Sequence, residues 1–301
     1  MSERTAAHFI GGGLMAVSPD HAQPLMQTIL PDEAFQASAS ASITIERGQR
    51  FAVQSGVALV PVRGLLTPNA MILERWLGWA TYEGLRETMD ELAGNEDVRA
   101  IVMAFDTPGG SVMGLSGAVE AVRAAAQVKP VHAIIDPVCA SAGYWLASQA
   151  TEISLSPGAW VGSIGTLFTS MHPVQAGSSG MQMFVMPSSH ARAKRPDPTT
   201  EEGRALIRSE LDRMEADFLL DVAAGRGIDR EAITAQLSVT DDARDGGSIF
   251  WGADAQERGL VDQLETRAAA MSRIVAAHAR KPQRGAGARA MAAAAEARAR
   301  V

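Results

Sequence analysis

Ser141 stands in Val138-Cys139-Ala140-Ser141-Ala142-Gly143-Tyr144, a run of small residues following an apolar stretch that ends at Asp136-Pro137. A serine at such a strand-to-helix junction sits at the positive end of the helix. The N–H of the next residue can then help to hold an oxyanion. The same place suits a helix N-cap, which involves no chemistry. One strand earlier comes Asp106-Thr107-Pro108-Gly109-Gly110. Paired glycines allow positive φ and let backbone amides approach a ligand, so this loop is either an oxyanion hole or a plain turn. Two such junctions on successive strands favour a nucleophile at Ser141.

A hydroxyl nucleophile needs a base. Of the six histidines, His172 in Met171-His172-Pro173 is the natural triad candidate, with Asp241, Asp242 or Asp262 to orient it. Lysine is the alternative, because burial lowers its pKa whereas arginine keeps its proton. The 27 basic residues include only three lysines, Lys129, Lys194 and Lys281. Lys129 precedes Pro130 at the start of a strand, at the opposite end of the sheet from the glycine loop. Lys281 lies in the C-terminal stretch, which leaves Lys194, although Arg192, Lys194 and Arg195 also fit a solvated basic loop. Cys139, the single cysteine, has no histidine or basic neighbour in sequence and reads as a small core residue. The residues alone leave His172 and Lys194 both open as the base.

The elements that must position these groups follow from the apolar pattern. Strand-length apolar runs at 57–62, 99–105, 131–135, 152–155 and 181–186 alternate with helical patterns at 82–93, 115–127 and 141–149. That alternation predicts an α/β fold with a mostly parallel sheet and helices on its faces. Ligands of such sheets bind beyond the carboxyl ends of the strands, where the glycine loop and Ser141 both fall. A long amphipathic helix is expected over 201–225, with Leu206, Leu211, Met214, Phe218 and Val222 near helical spacing. Segments 230–237 and 253–262 close the domain.

Residues 1–54 read as an arm, with a short helix opened by Ser18-Pro19 and a small, polar linker at 37–42. Residues 55–265 form the domain. From Thr266 the chain is rich in alanine and arginine, and 266–301 reads as a tail, either a solvated helix or disordered.

A chain of 301 residues can bury one substantial core, and 47% apolar with 20% charged residues is ordinary for a globular protein. The net charge of −7 offers no case for nucleic-acid binding. One cysteine excludes an internal disulfide framework and a cysteine-clustered zinc site. The longest apolar stretch, 131–150, contains Asp136, Pro137 and Ser141, and Gly11-Gly12-Gly13 interrupts the run 9–17. No membrane anchor is expected, and the cytoplasm is the expected location.

These segments resemble the S49 peptidase family, the signal-peptide-peptidase and phage head-protease group of the ClpP/crotonase fold class, built on repeated β-β-α units. Asp106-Thr107-Pro108-Gly109-Gly110 is similar to the family's D-S-P-G-G loop, with threonine for serine. Ala140-Ser141-Ala142-Gly143-Tyr144 resembles its nucleophile segment, and Val161-Gly162-Ser163-Ile164-Gly165 its G-S-I-G turn. Lys194 with Pro198 fits its K-x-x-x-P element, and Gly259-Leu260-Val261-Asp262 its closing G-L-V-D. One departure is Ala191-Arg192-Ala193 before the lysine, where the family usually carries glycine and an aromatic or histidine.

The resemblance implies a serine endopeptidase with a Ser141/Lys194 dyad and His172 as a bystander. It implies oxyanion amides at Gly110 and Ala142, a loop shaped by Gly109, Ser163 orienting the lysine, and no metal or cofactor. Phage-type members imply scaffold or capsid proteins as substrates, a procapsid setting and a homo-oligomer. The competing expectations are a soluble signal-peptide-peptidase-like enzyme, a crotonase-like acyl-CoA enzyme and a non-catalytic head component. A crotonase-like site would typically hold a glutamate, and none follows the glycine loop before Glu120.

Overall fold

The computed structural model describes residues 14–17, 19–28, 50–168, 193 and 196–278. Strand β1 (Leu14–Val17) feeds α1 (Pro19–Met26), and β2 (Ala52–Gln54) turns into β3 (Val57–Arg63). Next come α2 (Met71–Leu77), α3 (Tyr82–Gly94), β4 (Ala100–Thr107), β5 (Gly109–Ser111) and α4 (Leu115–Val128). The central stretch is β6 (Val131–Ala140), α5 (Ala142–Ala147), β7 (Glu152–Leu155), β8 (Trp160–Gly162) and β9 (Leu167–Phe168). The remainder is α6 (Glu201–Arg226), α7 (Ile233–Leu237), β10 (Ile249–Trp251), α8 (Gly252–Glu257), β11 (Gln263–Leu264) and α9 (Arg267–His278).

The main sheet runs β10-β8-β6-β4-β3-β2, with β7 pairing both β6 and β11. The pairs among β3, β4, β6, β7, β8 and β11 are parallel, and only β2 and β10 join antiparallel. This is the expected α/β architecture. Strand β4 is buried at every position but Asp106, the mark of a strand covered on both faces. Helices α3 and α4 pack their apolar sides on it through Leu85, Met89, Leu92, Val119 and Val122. Thr81 caps α3 by accepting from the Gly84 N–H, and Thr200 caps α6 by accepting from the Gly203 N–H.

Strand β6 is twice its expected length because it changes partners part way. Residues 132–135 pair with β7, and 138–140 pair with β8. The Asp136-Pro137 step lies between the two registers, so the missing proline N–H costs the ladder nothing there.

Two expectations are corrected, and the arm adds a contact of its own. The stretch after residue 265 is not wholly a solvated or disordered tail: α9 buries Ala270 and Ile274 against Val57, Val102 and Ile134. Two inward residues on a short helix are enough to dock it, which an alanine-rich composition hides. Helix α6 buries Phe218 and Val222 as expected, but Leu206 is exposed, because the N-terminal half of the helix runs beyond the core. The arm also touches the domain: Ala22 of α1 is buried in a cluster with Leu65, Leu73 and Trp79. The strand expected at 181–186 lies outside the described residues.

Candidate active site

Strands β4 and β6 are parallel neighbours, so the loops leaving their carboxyl ends emerge side by side, with Thr107 in register with Cys139. The glycine loop after β4 is held by its own backbone. Thr107 Oγ1 donates to the Gly64 carbonyl at 2.6 Å and accepts from the Gly109 N–H at 3.1 Å. The Leu66 N–H donates to the Gly109 carbonyl, and the Ser111 N–H to the Leu66 carbonyl, both at 2.9 Å. A Cβ on Gly110 would lie 1.9 Å from the Leu66 oxygen, so only glycine fits. The Gly109 amide is therefore spent within the loop. Peptide groups alternate along a strand, so the N–H and C=O of Gly110 point to the edge opposite Leu66.

The junction after β6 is a sharp corner. Ser141 has φ 52° and ψ −120°, and its hydroxyl makes no capping bond to α5. Ser141 is thus not an N-cap of the ordinary kind. Such a left-handed backbone on a non-glycine residue costs about 1–3 kcal/mol and persists only where its surroundings hold it. The Ser141 N–H donates to the Gly162 carbonyl at 2.8 Å, and the Ser141 carbonyl accepts from the Trp145 N–H at 2.9 Å. Its hydroxyl faces the Gly165 carbonyl at 3.5 Å. Ala142 opens α5, where the first N–H groups have no partner within the helix. A Cβ on Gly143 would meet Thr107 Cγ2 at 2.5 Å, so this glycine lets the corner close on the glycine loop.

The turn after β8 completes the group. Gly162 has φ 121°, and a Cβ there would come within 2.7 Å of the Ser248 carbonyl. Ser163, also at φ 52°, donates its N–H to the same carbonyl at 2.7 Å. Thr166 Oγ1 donates to the Leu211 carbonyl at 3.0 Å and fastens the turn to α6. One neighbour had no signal in the sequence. The Glu215 carboxylate of α6 lies 3.1 Å from where a Gly165 Cβ would be. Its pKa is raised, chiefly by burial and further by Asp212. In the sequence it is one carboxylate among many on a polar helix.

Ser141, Ala142, Gly109, Gly110 and Ser163 therefore meet at one edge of the sheet. Lys194 and His172 lie outside the described residues. The carboxylates considered as orienters are engaged elsewhere or exposed. Asp262 bonds Arg226 and accepts the Ile153 N–H, Asp242 pairs with Arg244, and Asp241 is exposed. Cys139 is buried, and burial raises its thiol pKa well above the ordinary value, so it stays protonated. Glu120 points outward to Arg123, not into this site.

The model of Peptidase family S49 matches residues 123–280. Capsid assembly protease C of Escherichia phage lambda is 26% identical over 221 residues, covering 72% of this chain and 48% of the relative. Head-tail preconnector protein GP5 of Enterobacteria phage P21 is 25% identical, with 74% and 43% covered. Protease 4 of Haemophilus influenzae is 27% identical, with 73% and 34% covered. The chain thus spans about half the length, or less, of these relatives. Among solved structures, a membrane-bound stomatin-specific protease aligns with TM-score 0.43 at 13% identity, over 74% of this chain and 85% of that one. An enoyl-CoA hydratase from Mycobacterium avium subsp. paratuberculosis aligns with TM-score 0.43 at 15% identity, over 80% and 81%. The matched stretch takes in the Ser141 corner, the turn through Ser163 and the closing Gly259-Leu260-Val261-Asp262, and the chain belongs to peptidase family S49.

Proposed function

We propose that this chain is a serine endopeptidase in which Ser141 is the nucleophile and Lys194 its general base. The observation that carries the reading is the strained Ser141 backbone, at φ 52°, with a hydroxyl released from capping, at a corner that packs on the glycine loop through Gly143 and Thr107. Neutral Lys194 takes the hydroxyl proton as Ser141 Oγ bonds to the peptide carbonyl carbon. The carbonyl electron pair moves to oxygen, and the Gly110 and Ala142 amides hold the resulting oxyanion, with Gly109 shaping the loop. Collapse breaks the C–N bond, and the departing amine takes its proton from the lysine ammonium. Water then repeats the sequence on the acyl-enzyme. Ser163 orients the lysine amine. These steps use no metal or organic cofactor.

The substrates proposed are scaffold or capsid proteins in a phage procapsid, with copies of the chain assembled as a homo-oligomer. The phage setting is supported by the two phage relatives, a capsid assembly protease and a head-tail preconnector protein. No helix among the described residues is long and apolar enough to cross a membrane.

The test is casein and self-cleavage by the purified chain beside Ser141→Ala, Lys194→Ala and His172→Ala. The expected result is loss in the first two and activity in the third. Loss with His172→Ala and not with Lys194→Ala would assign the base to histidine. A wild-type chain inert on casein, on itself and on a co-expressed scaffold would move the non-catalytic reading to the front.

A further inference from the structure

The second sheet is a ribbon of three strands, β5-β1-β9. Its two outer members are parts of the site: β5 is the glycine loop itself, and β9 begins two residues beyond Gly165, whose carbonyl the Ser141 hydroxyl faces. The middle strand comes from the arm. Strand β1 is antiparallel to both neighbours, with Met15 opposite Ser111, Ala16 opposite Gly110 and Val17 opposite Gly109. On its other side Leu14 faces Phe168 and Met15 faces Leu167.

The slot between β5 and β9 is thus a place for one extended segment, laddered on both edges. Its geometry singles out Gly110. The Leu66 N–H bonds the carbonyl before Gly110 and the Leu66 carbonyl bonds the amide after it, so the Gly110 N–H and C=O turn to the slot. The backbone that meets them is Ala16. Backbone pairing of this kind accepts many sequences, since the bonds are made by main chain.

From this we infer that residues 14–17 are an intramolecular occupant of the slot in which an extended peptide substrate binds, and that the arm competes with that substrate. The inference rests on the reading of the site as a peptidase. The arm is well placed to compete. Only Ser18 separates β1 from α1, and Ala22 of α1 is buried beside Leu65, the residue before Leu66. A tethered strand held this close has a high effective concentration, so a peptide in trans pays the cost of displacing it.

The test uses the full chain with Met15→Pro and Ala16→Pro together. Adjacent N–H groups point to opposite edges of a strand, so the pair removes one donor toward each neighbour. In a Ser141→Ala background, a fluorescein-labelled peptide of residues 12–19 is titrated by polarisation. We expect about tenfold tighter binding to the arm variant than to its parent. With Ser141 intact, KM for a fluorogenic peptide should fall by about the same factor while kcat holds. Hydrogen exchange should show the Gly110 amide opened by the double substitution and protected again by added peptide, while the Ser111 amide, bonded to the Leu66 carbonyl, stays protected throughout. Deletion of residues 14–17 should reproduce every effect, which separates the slot from a proline-specific defect. Equal affinity in the two backgrounds, or no binding to either, overturns the inference. If the chain is not a peptidase, hydrolysis is silent but the polarisation and exchange arms still decide.

Discussion

The Ser141 N–H and the Gly162 carbonyl are joined by a 2.8 Å hydrogen bond, which ties the corner after β6 to the turn after β8. Ser141 at φ 52° is held there by its neighbours and not by its own preference. Ser141→Gly removes the steric penalty at this φ. We expect that variant to be inactive and yet to melt about 2–4 °C higher than the parent. Calorimetry beside a casein gel checks both. A lower melting point would mean that the lost side chain outweighs the relieved strain.

Asp262 offers a contrast between structural and chemical roles. It receives the Arg226 guanidinium at 2.6 Å and the Ile153 N–H at 2.7 Å, and the Arg226 side chain is only 6% exposed. Asp262→Asn keeps an acceptor but leaves a buried cation uncompensated. The expected cost is about 2–3 kcal/mol of stability, with kcat per folded molecule unchanged. Urea melts and active-site titration separate the two. A fall in kcat at full folding would return Asp262 to the list of orienting carboxylates.

What could be read in advance, and what could not, divides on physical lines. The runs feeding β3, β4 and β6 are long, apolar and bounded by turn residues, so the parallel sheet was legible. So was the closeness of the loops that leave β4 and β6, because neighbouring parallel strands release their loops at one edge. Strands β5, β8 and β9 have two or three residues each and carry no periodicity. Their existence depends on partners far along the chain, as with β1 on the glycine loop. Glu215 became visible only through its packing on Gly165.

The C-terminal helix carries a pH-sensitive contact. His132 of β6 is buried, with Nδ1 3.2 Å from Glu152 and Nε2 3.3 Å from His278 of α9. Arg273 of α9 also bonds Glu152. Burial lowers the His132 pKa below its ordinary 6.5, with His278 and Arg273 acting the same way and Glu152 opposing them. The unfolded chain therefore binds this proton more readily than the folded one. The stability contribution is complete above about pH 6.5 and is lost as pH falls below it, levelling off past the folded-state value. Between pH 7 and 5.5, amides of 267–278 should lose exchange protection before those of β4, and His132→Gln should flatten the profile. A melting point that rises on acidification would contradict the sign.

Thr107 tests whether the glycine loop acts as a unit. Its Oγ1 serves the Gly64 carbonyl and the Gly109 N–H at once, while its Cγ2 fills the space left by Gly143. Thr107→Val keeps the shape and strands both backbone groups. That should cost about 1–3 kcal/mol and, by loosening Gly110, lower kcat/KM at least tenfold. Thr107→Ser keeps the hydroxyl and deletes the methyl. It should lose about 1 kcal/mol of stability through the small void and retain near-parental kcat/KM. The opposite order, with serine the more damaging to turnover, would mean that packing against α5, and not the hydrogen bonds of the loop, holds Gly110 in place.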